Sequence, residues 1–464
     1  MRYFFLVLSL LLSGCVSLSP EYVRPSAPIA THFQEGNTSA QSSATKLSWQ
    51  QFIRNDKLSK VIEKALDQSR DLRKAVASIE TARATYRITR SDEFPSIDAT
   101  LSGSKERSLN SNGGTSITES SSATLGLSSY ELDFFGKNSQ LSAKEWETFK
   151  GVEEAERLVR ITLIADTTNA WLTLASDQSL LKLSQQTLES AKSSLAIVQK
   201  RVDLGVDSDV SLYGVKTTVA QARANVANYT TLVAQDKAAL DLLVGATVEA
   251  SLLPNGLDEH SPQWLADVPV GLSSDILLQR PDVLEAEHNL KAANANIGVA
   301  RAAYFPSISL TAKGGLGSNA LNGLFDGGTS TIWSFVPTVS LPIFDMGQRD
   351  ATLAYAKANR DKLLATYELS IQTAFKEVSS ALARKATIQE QLAAQKALVE
   401  ADAKSYQLYD ARYQKGVDTY INVLTSQRAL YSAEQSRIAV SLEALSNRVS
   451  LYRILGGGLA QISE

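Results

Sequence analysis

Phe94-Pro95-Ser96-Ile97 and Phe305-Pro306-Ser307-Ile308 spell the same tetrapeptide 211 residues apart, in a chain of 464 residues with only 11 prolines. Sliding residues 71–245 over residues 282–456 at that shift aligns Ala75 with Ala286, Gly136 with Gly347 and Arg201 with Arg412 without a gap. It also aligns Gly205-Val206-Asp207 with Gly416-Val417-Asp418, and Gly245 with Gly456. So long a period exceeds that of stacked solenoid repeats and marks a duplicated substructure. In each copy the proline stops a preceding helix and pushes the Phe before it to extended angles, so FPSI reads as a joint from helix to strand.

The breakers around this joint are unusually placed. Neither Gly nor Pro occurs over residues 152–204 or 348–415, stretches of 53 and 68 residues rich in Ala, Leu, Lys, Gln and Glu. Such runs predict helices of roughly 80 to 100 Å at about 1.5 Å per residue. Leu174, Leu181, Leu188, Leu195 and Val202 recur every seven residues. Ile388, Leu392, Val399, Ala403, Tyr406, Tyr409 and Tyr413 step by three, four or seven, as in coiled-coil seams. After Gly205 and Gly416 a second helical run returns to Gly245 and Gly456. Each copy therefore holds an antiparallel helical hairpin with a glycine-capped tip.

Between the short first helix and the long hairpin the period changes to two. Ile97, Ala99 and Leu101 alternate with polar residues, as do Ala123, Leu125 and Leu127; Ile308, Leu310 and Ala312 do so in the second copy. There Trp333, Phe335, Val339, Leu341 and Ile343 share one parity. With "SLNSNGGTSITESSS" and "GGLGSNALNGLFDGGTS" read as loops, this predicts two β-hairpins, four strands in all. The pattern suits a half-buried soluble sheet or strands facing lipid on one side and water on the other. In the membrane case four strands cannot close, because an open edge in hydrocarbon leaves unpaired backbone groups, so the chain must pool strands with copies of itself.

The remaining composition narrows the classes. Charged residues are 20% and the formal net charge is −3, which gives no basic field for nucleic acid. The single cysteine, Cys15, excludes an internal disulfide and a multi-thiolate metal site. It follows an apolar run from Tyr3 to Leu12, too short to span a bilayer and expected to be a signal peptide, residues 1–14. "Leu12-Ser13-Gly14-Cys15" resembles a lipobox, which implies lipidation of Cys15, with Val16 next to it implying sorting to the outer membrane. His32, His260 and His288 are scattered, without metal-protease spacing. Gly315-Leu316-Gly317-Ser318-Asn319-Ala320 matches a dinucleotide loop in form, but further glycines follow where a helix would be needed. No catalytic or metal site is expected, nor any cofactor beyond the lipid.

These segments together resemble the TolC/OprM-type outer-membrane factors, in their lipoprotein drug-efflux branch. The resemblance rests on "YELDFFGK", "RVDLGVDSDVSL", "LLQRPDVLEAEHNLKAANANIGVARAAYFPSISLTA", "VSLPIFDMGQR" and "RYQKGVDTYINVLTSQRALYSAEQ", in that order. It implies an α+β membrane protein: a homotrimer whose four strands per chain make a 12-stranded outer-membrane barrel continuing into a long periplasmic helical barrel. The expected organisation is an N-terminal segment 15–70, a first repeat 71–245 (β-hairpin about 96–134, helical hairpin about 137–245) and a connector 246–281. A second repeat 282–456 (β-hairpin about 307–344, helical hairpin about 348–455) and a tail 457–464 complete it.

The function implied is a passive exit duct, not an enzyme, fed by an inner-membrane RND transporter through a periplasmic adaptor. Metal-ion efflux or type I protein secretion is the alternative within the channel class, and a lipid-tethered coiled-coil scaffold the alternative outside it. Arg201, Gly205, Arg412 and Gly416 would form the adaptor-docking tips; as residues, they also read simply as capped helix ends with Arg near the C-terminal dipole. The resemblance places Ile421 at an apolar ring of the periplasmic aperture, and Asn422 and Thr425 where carboxylates are usual. Asp207, Asp209 and Asp418 would supply nearby negative charge or favour the helix starts they stand beside.

Overall fold

A computed structural model describes residues 18–33, 47–109, 113–268, 273–325 and 327–457; the lipidation residue Cys15 lies outside them. In chain order the elements are α1 (Trp49–Phe52), α2 (Asp56–Gln68), α3 (Arg70–Ser91), β1 (Asp98–Leu109), β2 (Thr115–Glu131), α4 (Lys137–Asp203) and α5 (Asp209–Val244). Then follow α6 (Pro281–Ala302), β3 (Ser307–Ser318), β4 (Ser330–Ser340), α7 (Gln348–Gln414) and α8 (Tyr420–Ile454). Helices α6, α7 and α8 each begin 211 residues after α3, α4 and α5, and α4 and α7 are both 67 residues long. At about 1.5 Å per residue each spans about 100 Å. Among the described residues no helix is long and apolar enough to cross a membrane.

The chain divides into two units. One gathers residues up to 26, 78–153 and 285–368 and contains the sheet. Its strands pair antiparallel in the order β1-β2-β3-β4, so β1 and β4 are edges. Each FPSI lies at the predicted joint, the first between α3 and β1 and the second running from just past the end of α6 into the first two residues of β3. Rungs Ile308↔Val339, Leu310↔Pro337, Ala312↔Phe335, Gly314↔Trp333 and Leu316↔Thr331 make one face apolar. Trp333 on that face is 79% exposed. The opposite face is hydroxylated: Ser102 pairs with Ser122 (2.8 Å) and Ser104 with Ser120 (2.9 Å).

The strands run further than their alternation suggested. The first segment read as a loop is largely strand and the second begins as one: β1 continues to Leu109, β2 starts at Thr115, and β3 extends through Gly314, Gly315 and Gly317 to Ser318. The reason is cross-strand pairing of polar side chains, including the serine pairs and the Lys105–Glu119 ion pair, which a search for apolar alternation passes over. Conversely Leu341 and Ile343 lie beyond β4, which stops at Ser340, before Pro342 with its missing N–H.

The second unit gathers residues 27–77, 154–284 and 369 onward, and is built on the helical hairpins. The seven-residue stripe is half of a seam. Leu174 is buried, but between Leu181 and Val202 the fully buried residues are Ser184, Ala191 and Val198, which lie three positions on from each stripe leucine. Two of them are too small or polar to register as a stripe. On α7, Ile388, Leu392 and Tyr413 are buried while Tyr409 turns outward. Phe52 stacks on Tyr452 at 4.4 Å, and Trp171 meets Trp264 edge-on at 5.1 Å while donating its indole N–H to the Leu252 carbonyl. These aromatic contacts tie α1 and the connector to the hairpins.

Candidate functional site at the helical tips

Both hairpins of the second unit turn by the same backbone device. At the end of α4 the Gly205 N–H donates to the Val202 carbonyl (2.9 Å) and the Val206 N–H to the Arg201 carbonyl (2.9 Å). At the end of α7, Gly416 donates to Tyr413 and Val417 to Arg412, at 2.9 and 3.0 Å. This double closure needs a left-handed residue, and Gly205 and Gly416 have φ of 71° and 76°. Glycine is therefore required by conformation; neither position is crowded by a neighbour.

Each tip arginine turns back onto an aspartate six residues later. Arg412 Nε donates to Asp418 at 2.9 Å, and Arg201 Nε lies 3.7 Å from Asp207. In the first tip the guanidinium also sits over the Tyr413 ring, 4.7 Å from its centroid, while the Tyr413 hydroxyl donates to Asp207 Oδ2 at 2.6 Å. Tyr413 belongs to α7, so this bond joins the second hairpin to the tip of the first. Val198, Leu212, Val215, Tyr413, Tyr420, Val423 and Leu424 form the apolar cluster behind it.

The electrostatics follow from these contacts. Burial pushes the Asp207 carboxyl upward, but hydrogen bonds from Tyr413, Ser211 and the Ser208 N–H, with Arg201 beside it, outweigh that and hold it below the usual range. Burial and the bond to Asp207 push the Tyr413 phenol well up, and burial pushes Tyr420 to about 12. Hydrogen bonds from Asn422, from the Thr419 N–H and from Arg412 hold Asp418 low.

The aperture residues are placed as follows. Ile421 is 59% exposed on the first turn of α8, at the position that Val210 occupies on α5. Asn422 donates to Asp418 (2.7 Å) and Thr425 donates to the Ile421 carbonyl (2.8 Å). Asp207 and Asp418 each face an arginine of their own tip, while Asp209 is exposed in the first turn of α5. Around the arginines the tips present exposed aliphatic side chains, among them Leu204, Val206, Val210 and Val417. Reading the sequence missed Tyr413 as a tip residue, because it fell into an aromatic stripe. The signal was available: at the shift of 211 its counterpart is Val202, so only one copy has a phenol there.

The tips and the sheet occur together in known proteins. The outer membrane efflux protein family matches the chain twice, over residues 61–246 and 272–457, once for each repeat. The toluene efflux pump outer membrane protein TtgC of Pseudomonas putida is 44% identical over 461 residues, covering 97% of this chain and 94% of that protein. The antibiotic efflux pump outer membrane protein ArpC of the same species is similar to the same extent, 44% over 97% of this chain and 94% of its own length. The open state of the Neisseria gonorrhoeae MtrE outer membrane channel superposes with a TM-score of 0.87 at 32% identity, covering 96% of this chain and 99% of that one. Duplicated hairpins, a four-stranded sheet with one apolar face and similarity across nearly the full length lead to one assignment: this chain is an outer-membrane protein of the outer membrane efflux protein family.

Proposed function

We propose that the chain is the exit duct of a tripartite pump that expels apolar organic compounds and antibiotics. Three copies close a 12-stranded barrel; an inner-membrane transporter of the RND class and a periplasmic adaptor load it, and a lipid on Cys15 anchors it. The observation that carries the reading is the sheet itself: four strands with one face of exposed Trp, Phe, Leu and Ile, and two unpaired edges. An open edge in hydrocarbon costs several kcal/mol for each unpaired group, so the edges must meet other copies. The exposed aliphatic tips, rimmed by Arg201 and Arg412, suit docking of a partner protein.

The substrate class comes from relatives named for toluene and antibiotic efflux, which fits a duct that delivers cargo without binding it. The test is deletion of the gene, with growth scored on toluene, a panel of antibiotics, and copper and silver salts. Complementation uses the parent chain or Arg412→Glu. Sensitivity to solvent and antibiotics that the parent restores and the variant does not is the expected result. Sensitivity confined to the metal salts would replace this reading with metal-ion efflux.

A further inference from the structure

The register of the sheet fixes what lines the proposed lumen. Opposite the apolar face lies a field mainly of serine and threonine hydroxyls, with Ile332 and Val336 on either side of Ser334, and among the described residues of that face one side chain is basic, Lys313. It stands on one rung with three others: Asp98 pairs with Gly126, Gly126 with Lys313, and Lys313 with Ser334. Its neighbours along β3, Ala312 and Gly314, belong to the apolar face and pair with Phe335 and Trp333. Lys313 is therefore at the depth of the apolar band, and alternation turns it away from lipid.

Gly126 gives the lysine its room. A Cβ at Gly126 would clash with the Ala312 carbonyl oxygen and lie 2.8 Å from both Cα and Cγ of Lys313, so a side chain there would displace the β3 backbone together with the lysine stem. Within one chain the acids of this face are more remote from Ser334 than Lys313 is. Glu131 is ion-paired to Lys137 at 3.0 Å. Within one chain Asp98 is three strands from Ser334, about 14 Å between backbones, and Glu106 lies further along β1. Across the β4-to-β1 seam the β1 acids of the next copy stand nearer, at a distance set by the closing register, and Lys313→Gln leaves them unchanged.

We propose that Lys313 is the selectivity-determining charge of the membrane-embedded part of the duct. Three copies set a ring of fixed positive charge in the wall, which enriches anionic solutes and depletes cationic ones at that depth. This rests on the barrel reading. Twelve strands about 4.8 Å apart and tilted by about 40° give a wall radius of about 12 Å. That is close to the Debye length of about 10 Å at 0.1 M salt, so the field reaches toward the axis in dilute salt and retreats to the wall at 1 M.

The chain's single native cysteine, Cys15, has its thiol blocked by the expected diacylglyceryl thioether, and the parent protein controls for it. In outer membranes, Ser334→Cys is reacted with impermeant methanethiosulfonates, one anionic and one cationic, and the ratio of their rates is taken. Lys313→Gln in that background is expected to lower the anionic-to-cationic ratio by roughly three- to tenfold at low ionic strength, and by much less at 1 M. Lys313→Arg is expected to restore it. An unchanged ratio with Gln, with Ser334→Cys reactive throughout, overturns the role of Lys313 while leaving the barrel intact. If Ser334→Cys is inert and Trp333→Cys reacts, the faces are reversed and the barrel reading falls with the proposal.

Discussion

At the scale of single residues, the contact with the clearest consequence is the Tyr413 hydroxyl on Asp207, since it holds one hairpin to the tip of the other. Tyr413→Phe removes the donor and keeps the ring under Arg201. A hydrogen bond to a partly covered carboxylate suggests a loss of about 1 kcal/mol. Conductance in planar bilayers is expected to rise as the tips loosen, and an unchanged trace would show that this bond does not restrain the aperture. The pH dependence has a definite sign. Asp207 is held below its ordinary value, so its contribution is complete above about pH 4 and is lost as pH falls through the still lower folded value. Conductance of the parent should therefore be flat from about pH 5 to 8 and rise only in stronger acid. Ile421→Ser tests the exposed aliphatic position beside it: the expected outcome is a higher conductance, since a smaller polar side chain replaces the exposed apolar group on the first turn of α8.

At the scale of elements, helices α4 and α5 are held together by a seam that contains two acids. Burial and the neighbouring Asp177 raise the Asp236 carboxyl to about 6, so the pair shares a proton over part of the physiological range. A raised carboxylic acid contributes stability that is present below its ordinary value and is lost as pH rises through about 6. Thermal unfolding of the purified protein should accordingly shift downward between about pH 4 and 6 and level off above about pH 7, and Asp236→Asn should flatten that slope. A slope unaffected by the substitution would assign it to other groups. The cap of α7 gives a second check. Gly416→Ala forces a Cβ into the left-handed region at a cost of about 1 kcal/mol, and faster proteolysis at that tip than at the Gly205 tip is expected. The helices were legible in the sequence because Gly and Pro are missing from long runs and because the copies agree at one shift. The full extent of the strands was not, since their outer halves pair through Ser, Thr, Lys and Glu, which carry no hydrophobic period. The buried partners of the helical stripe were hidden for the same reason, as Ser184 and Ala191 look like surface residues.

At the scale of the whole molecule, the decisive quantity is four strands, because that number leaves β1 and β4 with one free side each. Closure by copies of the same chain joins β4 of one to β1 of the next, and the sequence made this arithmetic legible once two hairpins were recognised. It left unread which rung of β4 faces which rung of β1, since that register depends on a second copy. Cysteines can settle both points. With Leu101→Cys on β1 fixed, single cysteines are placed in turn along β4 at Thr331, Trp333, Phe335 and Val339, the outward parity of that strand. Within one chain β1 and β4 are three strands apart, about 14 Å, whereas a disulfide needs Cα atoms within about 7 Å. Oxidation in membranes can therefore link these edges only between copies. One position along β4 is expected to give covalent species up to a trimer on a denaturing gel, with its neighbours much weaker, and that position defines the register of the closing seam. Species limited to dimers, or equal yields at every position, would mean that the edges collide at random instead of pairing, and the chain would need another partner to close its sheet.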